Sequence, residues 1–90
     1  MTIVRDIGYK KQLLSILRYI ANDKISASIK FEKELDIKIR NLVDFPYKFH
    51  ASYYFEEKAY RDMTFEGYTI IYKVKGEYIL ILEIFKWQNR

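Results

Sequence analysis

The stretch Gly67-Tyr68-Thr69-Ile70-Ile71-Tyr72-Lys73-Val74-Lys75-Gly76-Glu77-Tyr78-Ile79-Leu80-Ile81-Leu82-Glu83-Ile84-Phe85-Lys86 decides the fold of this 90-residue chain. Its two glycines fall beside runs rich in β-branched and aromatic residues, the pattern of strands joined by hairpin turns. In the first run Tyr68, Ile70, Tyr72 and Val74 share one face, and Thr69, Ile71 and Lys73 share the other. The second run is apolar on both faces until Glu83, which predicts a central place in the sheet. A further strand over about Lys58–Phe65 precedes Gly67, so an antiparallel meander is expected over about residues 58–86.

Before Pro46 the apolar period changes from two to between three and four. Tyr9, Leu13, Ile16, Leu17 and Ile20 form the stripe of one amphipathic helix, with Lys10, Lys11 and Arg18 on its other faces. Ala27, Phe31, Leu35, Ile39 and Leu42 form a second stripe, with Asp23 or Ser26 as its expected cap and Phe45-Pro46 as its stop. The two make a helical hairpin over about residues 7–45, with helices of about 14 and 18 residues. A short strand is expected at Thr2-Ile3-Val4-Arg5. Residues 47–57 fit no single element, and Tyr53-Tyr54-Phe55 reads as an edge strand or a packed loop. The expected architecture is α+β, in the order β-α-α-β-β-β, with the hairpin packed on one face of a small antiparallel sheet. Residues 1–90 are read as one domain, with the other sheet face partly open.

Composition narrows the setting. A chain this rich in Ile, Leu, Tyr and Phe can offset the entropy of ordering, which excludes disorder. With no cysteine, there is no disulfide framework, thiolate metal site or cysteine nucleophile, and a reducing cytoplasm is expected. The longest apolar run, Tyr78-Ile79-Leu80-Ile81-Leu82, is far below the roughly 20 residues of a membrane span. Sixteen basic against 12 acidic residues give a net charge of +4. That charge is spread: residues 1–45 hold nine positive and six negative groups, residues 46–90 seven and six. Spread charge permits nucleic-acid binding without demanding it, and suits an acidic protein partner as well.

Several segments together resemble the RelE/ParE toxin superfamily of bacterial type II toxin–antitoxin pairs, nearer its ParE-like side. Leu42-Val43-Asp44-Phe45-Pro46 is similar to that family's junction after the second helix. Tyr60-Arg61-Asp62-Met63 followed by Gly67-Tyr68-Thr69-Ile70-Ile71-Tyr72-Lys73-Val74 is similar to its strand signature, and Ile81-Leu82-Glu83-Ile84-Phe85-Lys86 to its last strand. The resemblance covers nearly the whole chain. It implies a growth inhibitor neutralised by a cognate antitoxin, acting by one of two routes. ParE-like members poison DNA gyrase, whereas RelE-like members cleave messenger RNA on the ribosome without a metal.

Metal-free cleavage needs a base for the 2′-hydroxyl, an acid for the leaving oxygen and cations for the phosphorane. The resemblance places Arg61 as a phosphate-binding arginine, with the alternative that it positions a strand or the antitoxin. Lys73 is a possible second cation, and Glu56 or Glu57 a possible base, although a charged edge or loop that discourages sheet pairing is the preferred reading of that pair. Lys86 and Trp87 stand where nucleases of the family carry histidine and tyrosine. A lysine near its ordinary pKa of about 10.4 is a poor base, and an indole transfers no phenolic proton. That departure favours the gyrase route. Trp87, with Tyr53, Tyr54 and Phe55, is instead a candidate partner contact. Glu83 is expected to pair with Arg61 or Lys73, and His50, the single histidine, is read as a loop residue. No metal or cofactor is expected. A third reading is a non-toxic interaction module on the same fold.

Overall fold

The computed structural model describes residues 1–86. Its elements are β1 (Thr2–Arg5), α1 (Ile7–Asp23), α2 (Ile25–Asn41), β2 (Tyr60–Phe65), β3 (Tyr68–Lys75) and β4 (Tyr78–Lys86). The α+β order expected from the sequence is the order observed. The strands form one sheet in the order β1-β4-β3-β2. The meander β2-β3-β4 is antiparallel, and β1 joins β4 in parallel, from Thr2 opposite Tyr78 to Arg5 opposite Ile81. β4 is therefore a central strand, as its two-faced apolar sequence requires.

Both hairpins turn in two residues. Glu66 and Gly67 have φ of 52° and 82°, and Gly76 has 57°. Positive φ at the centre of such turns matches the right-handed twist of the flanking strands. The helices are 17 residues each, separated only by Lys24 in an extended conformation. Asp6 caps α1, its carboxylate accepting the Gly8 N–H at 2.8 Å. The capping expectation for α2 is corrected: Lys24 is the N-cap and makes no side-chain bond, while Asp23 closes α1. The helix also ends at Asn41, ahead of Pro46, and β2 starts at Tyr60, not Lys58. Tyr53-Tyr54-Phe55 is loop, not strand.

β4 carries a bulge. Ile71 lies opposite Glu83 and Tyr72 opposite Ile81, so Leu82 is an extra residue without a cross-strand partner. The slip puts Ile79, Ile81 and Ile84 on one face despite their uneven spacing and keeps Glu83 out of the core. That face meets Tyr9 of α1 and Phe31, Leu35 and Ile39 of α2 in one cluster with Met63, Ile70 and Tyr72. The Phe31 ring packs edge-on against Phe65 and Tyr68, with centroids 5.1 and 5.4 Å away. Gln12 of α1 accepts the Ile84 N–H at 2.9 Å, satisfying β4 beyond the end of its β1 neighbour. Asp36 joins the layers, accepting from Arg5 of β1 at 2.6 Å and from Arg40 at 2.5 Å.

Candidate functional site

Residues 42–59 form a strap of 18 residues between α2 and β2. Loops this long without regular structure are uncommon in small domains and tend to carry function. The strap is held along its length. On the helix side the Tyr72 hydroxyl donates to Pro46 O at 2.7 Å, and Arg61 donates to Phe49 O at 3.1 Å and Lys58 O at 3.0 Å. The Arg61 guanidinium also lies 4.8 Å from the Tyr47 ring centroid. The strap then crosses the outer edge of β2. There Ala51 bridges Arg61, Asp62 N donates to His50 O, and Ser52 N donates to Tyr60 O.

On the far side of the sheet, Asp62 Oδ2 accepts the Tyr53 N–H at 3.0 Å. The Tyr54 ring meets Phe85 edge-on at 5.4 Å, and Phe55 stacks on Tyr60 at 4.2 Å. Adjacent residues of a strand point to opposite faces, so Arg61 and Asp62 grip the strap from both sides of β2. Asp62 is 2% exposed, and its Oδ1 has no hydrogen-bond partner among the described residues.

Cross-strand register fixes where the expected site residues stand. Arg61 is opposite Tyr72 and faces the helices, whereas Lys73 is opposite Tyr60 and faces away from them. Lys86 is opposite Tyr68 at the far end of β3, its ammonium 5.8 Å from that ring. From Tyr72 to Tyr68 along β3 is about 13 Å. The three cations therefore do not converge on one phosphate.

Lys73 lies 3.6 Å from Glu57 and 4.7 Å from the Tyr60 ring centroid. Hydrogen bonding to Tyr60 first, and the Glu57 carboxylate second, hold its ammonium above the ordinary lysine range, which keeps it a cation. Glu57 is thus the ion-pair partner seen for Lys73, and Glu56 is exposed on the strap. Glu83 stands opposite Ile71 on the face away from the helices. His50 sits in the loop, Nδ1 2.9 Å from Ala51 O and its ring 4.7 Å from Tyr53. Trp87 lies outside the described residues.

The aromatic run divides. Tyr54 and Phe55 fasten the strap to the sheet, while Tyr53 is 84% exposed. Sequence reasoning passed over a second group, Phe45 and Tyr47, which flank the single proline and are 69% and 54% exposed. Two rings about the one proline of a long loop are the signal that marks them. It also passed over Tyr72 and Asp62 as anchors, although adjacent opposite charges on a short strand point to both of its faces. Among the described residues no cluster of His, Asp or Glu could hold a metal ion, and no helix is long and apolar enough to cross a membrane.

Comparison with known proteins adds the family context. Residues 8–88 match the family described as the ParE toxin of the type II toxin–antitoxin system, parDE. A solved structure described as the chromosomal ParDE TA system from P. aeruginosa superposes with a TM-score of 0.76. The match covers 96% of this chain and 95% of that one, at 19% identity, and is a likeness of fold. No curated relative matches the sequence.

Proposed function

The chain belongs to the ParE toxin family of type II toxin–antitoxin systems, and on that premise we propose that it halts growth through a protein contact with DNA gyrase. In this reading it works as one domain in the cytoplasm, and a cognate antitoxin neutralises it by covering its surface. The separation of Arg61, Lys73 and Lys86 carries the choice of contact over cleavage. A phosphorane needs its cations and its acid and base within hydrogen-bond reach of the same few atoms. Arg61, the residue best suited to that role, has two of its donors on strap carbonyls and its plane on Tyr47.

Induced expression of the chain without antitoxin, followed by purified-gyrase supercoiling assays and RNA mapping, tests the reading. The expected result is growth arrest, intact messenger RNA and inhibition of supercoiling with trapped cleaved DNA. Codon-positioned cleavage on translating ribosomes would establish the nuclease route instead. Normal growth at full expression would leave the non-toxic module.

A further inference from the structure

We propose that the corner formed by the first half of the strap and the end of α2 is the surface that grips the toxin's protein target, with Phe45 and Tyr47 as its anchors. The inference rests on the gyrase reading above and names the part of the molecule that carries it out.

Three observations converge on this corner. First, Phe45 and Tyr47 are exposed rings that add little to the core, and they stand on either side of Pro46. Second, the backbone beneath them is fixed. Pro46 O accepts the buried Tyr72 hydroxyl, Phe49 O accepts Arg61, and Lys48 N closes a turn on Phe45 O at 3.1 Å. Rings presented on a fixed backbone need little ordering on binding, which is what makes an exposed aromatic an energetic anchor.

Third, the surroundings are basic. Phe45 lines a hollow of about 230 Å³ with Lys38, Asn41, Asp44 and Lys48, and Tyr47 carries Arg61 on its face. Counting the lining of that hollow together with Arg61, three cations stand against the single carboxylate of Asp44, and Glu34, one turn back along α2 from Lys38, lies 3.9 Å from Lys30. The fitting occupant is a protein surface that offers an apolar hollow rimmed by carboxylates. The rings enter the hollow, and Lys38 and Lys48 meet the rim.

Tyr72 is a positioning residue in this scheme. It touches no partner, but its hydroxyl sets the height of Pro46 between the two rings.

The test measures inhibition and direct binding of purified bacterial gyrase by the full chain and its variants, with thermal melts as the control for folding. Phe45→Ala and Tyr47→Ala are expected to weaken binding at least tenfold, Phe45→Ala while melting like the wild type and Tyr47→Ala while melting slightly lower because Arg61 loses its ring. Lys48→Glu slows association and flattens its salt dependence. Tyr72→Phe, which keeps both rings and removes only the pin, weakens binding several-fold. Tyr19→Ala removes a ring of similar exposure from α1 and leaves binding unchanged. If the wild type does not touch gyrase, the target reading falls and this inference falls with it. If the wild type inhibits and the corner variants do so equally well, or lose no more than Tyr19→Ala, this inference alone is overturned. Binding of the wild type to a linear DNA duplex without gyrase, lost in Tyr47→Ala, would assign the corner to nucleic acid and overturn it as well.

Discussion

Arg61 shows how one side chain can look like chemistry and act as fastening. Its planar fork reaches two carbonyls 9 residues apart in the strap and covers the Tyr47 ring, a geometry a lysine cannot reproduce. Arg61→Lys is therefore expected to cost about 1–3 kcal/mol, in line with charge-assisted hydrogen bonds. In a chain of this size that lowers the melting temperature by several degrees. Thermal and urea melts check it. A phosphate-binding arginine facing solvent would instead lose activity with stability intact. Asp62, its neighbour on the opposite face, holds the Tyr53 N–H from a buried position with one oxygen unpaired among the described residues. Nothing in the sequence separates these two roles, because a charged pair on an edge strand has the same letters whether it meets solvent or a loop.

At the scale of elements, alternation and helical stripes were enough to place every helix and strand, including the short β1. The bulge was legible only in part. Core isoleucines at 79, 81 and 84 break strict alternation by one residue, and the chain absorbs that break at Leu82. A regular ladder would have turned Glu83 inward, at a cost no apolar core offsets. The strap resisted reading for a different reason. Its conformation is set by groups far away in sequence, such as Tyr72 and Arg61, and local propensity carries no trace of them. Gln12 makes a similar distant bond to β4, and it yields a clean prediction. Gln12→Ala should cost about 1–3 kcal/mol by stranding the Ile84 N–H, whereas Gln12→Glu, which keeps an acceptor, should cost much less. Denaturation of the two variants side by side decides it.

For the whole molecule, burial raises three tyrosines, Tyr68 and, furthest, Tyr9 and Tyr72. Burial first, with Arg5 and Arg61 opposing it respectively, pushes both Tyr9 and Tyr72 up to about 12. A phenol whose folded pKa lies above its unfolded value of about 10 contributes stability that is complete below pH 10 and is lost as pH rises toward 12. The chain should therefore hold its stability up to about pH 10 and then lose up to roughly 2–3 kcal/mol per pH unit from Tyr9 and Tyr72 together. Urea titrations across that range measure the slope, and Tyr9→Phe should make it clearly shallower. A flat profile between pH 10 and 12 would contradict the burial of these rings.

The strand order bears on how the chain comes to be folded during its own synthesis. β4 is the last of these strands to be made and the one on which the sheet depends, lying between β1 and β3. Until residues 78–86 leave the ribosome, β1 has no strand to pair with and β3 has only β2, a two-stranded ribbon of marginal stability. A nascent chain stalled before Tyr78 is then a pair of helices with only that ribbon to dock on. The complete sheet forms only once translation has passed β4.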